Sequence, residues 1–270
     1  MIHVVTSANR DLYAAALAEM HRLRKVHFVD ERGWKAMTVR DGGEYDAYDD
    51  EQTIYLLAIE PDGAISCSMR MRPAATGSIL ADVFPHLIAE DEPSIAAPDV
   101  WEISRYFASG ATRGKSGFRR RAEIRLASLE VAMERGVKRL VGMIDIEMLP
   151  PMLNGSGWRV QPLGLPAPYD EGVAQAIGIQ VSRGALLDME DSQGLQSPLS
   201  LTLDQNRLPP LPPQDIEALL RAETMDGDRR RVLVGVVKRV LELQDQVPEA
   251  ELLSMVAYVE SMLTRPALLS

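Results

Sequence analysis

A single cysteine, Cys67, is the only thiol in the sequence. One thiol cannot close a disulfide within the chain, and it cannot supply a cysteine-rich zinc site. It lies in the strand-like run Ala64-Ile65-Ser66-Cys67-Ser68-Met69, where a small apolar thiol packs as a core residue. Long apolar runs are also missing. None approaches the roughly 20 residues needed to cross a bilayer. The opening Met1-Ile2-His3-Val4-Val5-Thr6 is too short, and lacks the basic lead, for a signal peptide; the expectation is a cytoplasmic protein. Positive charge is in deficit, with 29 Lys and Arg against 39 Asp and Glu and a net charge of −10. Such a surface repels nucleic acid and anionic membranes, so any anionic partner needs a local basic patch.

What is present suits a folded core. The chain has 270 residues, 46% hydrophobic and 25% charged, which fits one large soluble domain or one domain with an appendage. Residues 2–6 read as a strand. A helix follows from an N-cap at Asn9, with Tyr13, Leu17, Met20, Leu23 and His27 at helical spacing. From Phe28 to Tyr48 the chain is polar and irregular, and long for a structureless connection; such loops often carry function. Strands are expected at 55–60 and 64–71, joined by the turn Pro61-Asp62-Gly63, and again at 100–108. A helix over 119–135 carries Ala122, Leu126, Leu129 and Met133 on one face and ends at Gly136. A strand at 139–146, a helix or turn at 148–153 and a final strand within 172–183 complete the pattern. This order predicts an α/β (α+β) three-layer arrangement around one sheet.

Composition shifts near residue 190. Residues 191–213 read as a Pro-rich linker, with Leu208-Pro209-Pro210-Leu211-Pro212-Pro213. Residues 214–270 read as a helical extension whose apolar faces must pack on something. No internal repeat occurs.

Unusual residues concentrate in the first half. Arg24 and Phe28 are four apart at a helix end and can share a face. Trp34 follows, then the acidic cluster Glu44, Asp46, Asp49 and Asp50, then Arg70 and Arg72 on a strand, and Phe84. Strand alternation from Trp101 places Trp101, Ile103 and Arg105 on one face and Glu102 and Ser104 on the other. Each item has a plain structural explanation: a solvated acidic loop, a helix-end charge, core aromatics, cross-strand ion pairs. Composition and spacing alone select no function.

The order does. Arg24-Lys25-Val26-His27-Phe28, Gly33-Trp34, Glu44-Tyr45-Asp46-Ala47-Tyr48-Asp49, Ser68-Met69-Arg70 and Trp101-Glu102-Ile103-Ser104-Arg105, with Phe84 and the later Gly157-Trp158 to Leu163-Gly164, resemble the acyl-homoserine-lactone synthase (autoinducer synthase) family over roughly residues 1–190. The resemblance implies a GNAT-like fold, a mixed twisted sheet with a V-shaped cleft that holds a thioester arm. It also implies an acyltransferase of quorum sensing. An acyl group passes from acyl carrier protein or acyl-CoA to the amine of S-adenosylmethionine, and lactonisation releases methylthioadenosine.

That chemistry assigns roles. A sulfonium favours acidic and aromatic neighbours, here Asp46, Asp49, Phe28 and Trp34. The substrate carboxylate wants a guanidinium, from Arg24 or Arg105. The amine needs a base, with Glu102 the candidate, and the oxyanion needs donors, from backbone N–H groups of the strand beginning at Trp101. Arg70 organises the acidic loop. Phe84, Trp101, Met143, Met148, Met152 and Leu153 are candidates for an acyl pocket, methionine adapting to irregular ligands; ordinary core packing explains the same residues. The basic cluster Arg113, Lys115, Arg119, Arg120, Arg121 and Arg125 follows a glycine-containing loop into a helix. It suits a phosphopantetheine arm or an acidic carrier, or simply forms a basic face. Family members that prefer 3-oxo acyl chains often carry a threonine where this chain has Val141-Gly142-Met143-Ile144, which points to a non-3-oxo acyl group. No metal, tightly bound cofactor, nucleic acid or membrane is expected, and the C-terminal helices could form a homodimer. A GNAT-like acyltransferase with another amine acceptor, or a non-catalytic regulator, are the alternatives.

Overall fold

The computed structural model of the chain describes residues 1–60, 63–109 and 114–202, with residues 114–116 described by backbone only. Residues 203–213 of the linker and all of the helical extension read from the sequence lie outside the described residues. The chain forms two compact units: Met1–Ser7 with Ala15–Thr202, and Ala8–Ala14 with Leu203–Ser270. The sheet and the site belong to the first. In the second, the described residues hold a short 3-10 turn, Arg10–Tyr13, and Asn9 makes no side-chain capping bond there.

In chain order the elements are β1 (Ile2–Val5), α1 (Ala14–Arg24) continuing as a π-helix over Lys25–Glu31, β2 (Thr38–Arg40), β3 (Gly43–Tyr45), β4 (Ile54–Ile59), β5 (Ile65–Pro73), α2 (Ile79–Asp82) and β6 (Val100–Ala108). Then come α3 (Gly114–Glu134), β7 (Arg139–Asp145), α4 (Leu149–Gly155), β8 (Val160–Pro162), β9 (Ala167–Tyr169), β10 (Gly172–Gln180), α5 (Arg183–Gln193) and β11 (Ser200–Leu201). The main sheet runs β11-β1-β4-β5-β6-β7-β10-β8, with β9 also on β10. Among the described residues only the β1–β11 and β6–β7 pairs are parallel.

Alternation on β5 divides the molecule. Cys67, Met69 and Met71 point into an apolar cluster with Leu56, Leu126, Leu129 and Leu186, which places α3 and α5 over that face. Each such side chain contributes roughly 1.5–3 kcal/mol by burial. Ser68, Arg70 and Arg72 point to the opposite face and are equally buried. Buried guanidiniums need partners, and this polar half of β5 is where the site forms. Farther along the same face a second apolar cluster gathers Leu80, Leu87, Val100, Val141 and Leu163. Helix α3 ends as its glycine foretells. Gly136 (φ +71) donates to Met133 O at 3.1 Å and Val137 to Ala132 O at 2.9 Å, a left-handed C-terminal closure.

Three expectations differ from the structure. The buried residues of α1 and its π extension are Met20, His21, Arg24 and Phe28, while Leu17, Leu23 and His27 are only half-buried. The stretch from Phe28 to Tyr48 is not structureless: it holds the end of the π-helix and the hairpin β2–β3. The residues of β2 are all exposed, so no apolar alternation announces the strand. The first unit also runs past residue 190 to Thr202. Buried Glu130 of α3 accepts the N–H groups of Leu199 and Ser200 at 2.7 Å, and β11 pairs with β1. No helix among the described residues is long and apolar enough to cross a membrane.

Candidate active site

The buried arginines of the polar face meet the acidic loop as an alternating network. Arg24 Nε donates to Glu44 Oε2 at 2.6 Å, and its Nη1 and Nη2 grip Asp49 at 2.7 and 3.0 Å. Arg70 Nη2 donates to Asp46 at 2.9 Å, Nη1 to Asp49 at 2.9 Å, and Nε to Ser104 Oγ at 2.9 Å. Arg105 Nη2 reaches Glu44 at 2.9 Å and Asp46 at 2.7 Å. Tyr55 Oη donates to Asp49 at 2.9 Å. Three guanidiniums thus interleave with three carboxylates. Arg24 and Glu44 are wholly shielded from solvent. Burial alone raises the Asp49 carboxyl, but hydrogen bonding to Arg24 and the charges of Arg24 and Arg70 outweigh it and hold it well below the usual carboxylate range. Asp46 is depressed likewise by Arg70 and Arg105.

Arg105 joins this network through a bulge. Ser68 pairs with Phe107 and Arg70 with Ser104, so β6 carries one extra residue against Met69. Arg105 has φ +50, a left-handed conformation that costs a non-glycine residue roughly 1–2 kcal/mol. Simple alternation predicts Arg105 beside Trp101 and Ile103. The bulge instead swings it to the acidic loop, with its guanidinium 5.7 Å from the Phe28 ring.

A cavity opens beside it. Parallel strands β6 and β7 pair only at Val100–Glu102 with Arg139–Val141. Beyond that they part, and a space of about 300 Å³ lies between residues 103–108 and 142–145. Gly142 stands at the apex, where a Cβ would sit 2.8 Å from the Ile103 carbonyl oxygen. From the α1 side the cavity is lined by His27, Phe28, Arg32 and Trp34, and from the other side by Arg121, Met148, Met152, Trp158 and Ile177. Phe28 and Trp34 stack at 4.9 Å. Arg32 lies over Trp34 at 5.2 Å and pairs with Asp145, which also accepts the Tyr169 hydroxyl. The cavity therefore combines cation-friendly aromatic faces with a flexible thioether and indole lining.

Of the residues singled out in the sequence, Phe28, Trp34, Arg105, Arg121, Met143, Met148 and Met152 line this cavity. Arg24, Asp46, Asp49 and Arg70 lie outside the lining; Arg105 is held by Glu44 and Asp46, which Arg24 and Arg70 hold in turn. Glu102 lies outside it as well. Its carboxylate accepts Ser78 Oγ at 2.9 Å, Ile79 N–H at 2.9 Å and Leu80 N–H at 2.7 Å, fastening the start of α2. Burial raises its pKa, and the three donors act in the opposite direction. Phe84 belongs to the second apolar cluster, edge-on to Tyr169. Trp101 packs on the α3-side core, and Leu153 is exposed. Arg119 pairs with Glu123, and Arg120 with Glu60 and Glu123. Arg113 and the Lys115 side chain lie outside the described residues. Residue type and spacing assign no chemistry to His27, Tyr106 or Ile144, all in the lining, or to Glu44, the buried link between Arg24 and Arg105. Gly43 is the one signal for Glu44: a Cβ there would meet His21 Cβ at 2.9 Å, so the hairpin is pressed against α1.

Known proteins resemble this chain in sequence and fold. A family model described as autoinducer synthase matches residues 8–187. The isovaleryl-homoserine lactone synthase of Bradyrhizobium diazoefficiens is 34% identical over 198 residues, 73% of this chain and 87% of that protein. An acyl-homoserine-lactone synthase of Rhizobium etli is 30% identical over 62% of this chain and 79% of its own length. Among solved structures, the CoA-dependent acyl-homoserine lactone synthase BjaI with MTA superposes with a TM-score of 0.69 at 33% identity, covering 77% of this chain and 95% of that one. The synthase LasI, at 24% identity and a TM-score of 0.60, shares the GNAT-like fold. The chain belongs to the autoinducer synthase family, the acyl-homoserine-lactone synthases.

Proposed function

We propose that the cavity between β6 and β7 is where S-adenosylmethionine meets an acyl thioester. The amine attacks the thioester carbonyl, the C–S bond breaks, and the thiol leaves. The carboxylate oxygen of the acylated product then attacks the carbon beside the sulfonium, closing the lactone and expelling methylthioadenosine. The observation that carries this reading is the cavity's mixed lining, in which the Phe28–Trp34 stack and Arg105 share one cavity with Met143, Met148, Met152 and Trp158. The sulfonium is stabilised by the aromatic faces, and the carboxylate by Arg105. The network of Arg24, Asp46, Asp49 and Arg70 fixes Arg105 before substrate arrives, which supports transition-state geometry.

Coenzyme A is the proposed thiol carrier. A relative of similar fold was solved with SAM and isopentyl-CoA. Two basic residues that would greet an acidic carrier protein, Arg119 and Arg120, are already paired with carboxylates. The acyl group is a short one without a 3-oxo substituent, in keeping with the cavity's modest volume and the thioether of Met143 in its wall. Incubation of the purified chain with S-adenosylmethionine and a series of acyl-CoA and acyl-carrier thioesters tests this. Turnover is expected to be fastest with short, unsubstituted acyl-CoA. Preference for carrier-bound donors reverses the donor assignment, and preference for 3-oxo donors reverses the acyl one.

A further inference from the structure

We propose that His27, oriented by Glu31, is the base that removes the proton from the substrate amine, a proposal that rests on the reaction just described. The ring lines the cavity beside Phe28 and Phe107, with ring centroids at 4.9 and 6.0 Å. Its Nδ1 lies 3.3 Å from Glu31 Oε2. A carboxylate accepts, so Nδ1 carries the hydrogen and Nε2, on the other side of the ring, keeps a free lone pair. This is the base-and-orienter pairing that general-base catalysis uses. The amine proton passes to Nε2, the imidazolium is held by Glu31, and the proton leaves through the half-exposed histidine to water.

The other ionisable groups of the cavity are unsuited. Arg32, Arg105 and Arg121 carry guanidinium groups, which donate hydrogen bonds and offer no acceptor. Burial pushes the Tyr106 phenol up. Asp145 already accepts from Arg32 and Tyr169. Glu102 holds three donors of the α2 turn and lies outside the lining. Burial, the largest effect, lowers the His27 pKa; Glu31 raises it in part and Arg32 lowers it further. Arg105 and Tyr106 face the cavity from β6, Arg121 from α3 and Asp145 from β7. The imidazole is therefore neutral, and able to accept a proton, near pH 7.

The test is the pH dependence of kcat/KM for lactone formation. The unmutated chain is expected to lose activity in acid through an ionisation below the ordinary histidine value near 6.5. His27→Gln is expected to lower kcat by roughly 10²–10⁴-fold and to abolish that ionisation, while the Kd for S-adenosylmethionine changes little. Glu31→Gln, at an exposed carboxylate, is expected to move the ionisation to lower pH. His27→Ala is expected to recover activity with added imidazole. Retention of rate and acid limb by His27→Gln overturns the proposal, as does an acid limb lost in Glu102→Gln and kept in His27→Gln. Absence of any lactone from the unmutated chain would instead sink the reading of the reaction itself.

Discussion

Arg24, Arg70 and Arg105 are held by Glu44, Asp46 and Asp49 with little room for rearrangement. Buried ion pairs contribute little net stability compared with apolar packing, yet removing one partner is costly because the other charge is stranded. Glu44 is the sharpest case, since it alone joins Arg24 to Arg105 and has no access to solvent. Glu44→Gln is expected to destabilise the chain by roughly 3–5 kcal/mol, read from chemical denaturation, and to lower activity by loosening Arg105. A variant as stable and active as the parent would show that the network is not what positions Arg105. The sequence displayed Glu44 only as one acid among four close together. Nothing in residue type distinguishes the fully buried Glu44 from the partly buried Asp46 or the half-exposed Asp50; only the press of Gly43 against His21 does.

At the level of elements, the bulge in β6 and the parting of β6 from β7 create the site together. The bulge reverses the face of Arg105, and the parting gives the substrate a place between strands. Gly142 holds the two strands together at the apex. Gly142→Ala would place a methyl group against the Ile103 carbonyl oxygen, backbone that cannot swing aside. Its expected cost is about 1–3 kcal/mol, with a larger fractional loss of activity than of folded protein. Gly155→Ala in α4, where nothing lies within 4 Å, is the matched control and is expected to be neutral or slightly stabilising. Thermal melts beside turnover assays separate the two. Strands β4, β5, β6, β7 and β10 and helix α3 were legible in the sequence because each carries a run or stripe of apolar residues. The π-helix, the β2–β3 hairpin and the bulge were not, because polar exposed residues give no period, and an extra residue in a ladder leaves no mark in composition. The same limit explains Phe84 and Leu153. Apolar residue type marks both for burial, but only topology puts one in a different cluster and the other at the surface.

Across the whole molecule, charge makes stability depend on acid. His3 is buried, and burial lowers its pKa from 6.5 to about 4; burial also lowers His21. Between about pH 6.5 and 4 the unfolded chain binds protons that the folded chain refuses, so stability rises with pH through that window. Below it, Asp46 and Asp49 act in the same sense. Their depressed folded values stabilise the fold above the ordinary carboxylate pKa, and that contribution fades as pH falls below about 4. Melting temperature is therefore expected to fall steadily from pH 7 to pH 4, and His3→Gln is expected to flatten the upper part of the slope. A melting temperature that rose on acidification would contradict the burial of these groups.

The reading stands or falls on whether this chain makes an acyl-homoserine lactone in the cavity between β6 and β7. Mass spectrometry of culture extract from a lactone-free bacterial host tests it most directly, comparing the chain with an Arg105→Ala variant and with an empty vector. A lactone with a short acyl group and no 3-oxo substituent is expected, abundant with the unmutated chain and sharply reduced with the variant. Folded, well-expressed protein that yields no lactone, even when varied acyl donors are supplied, would contradict it.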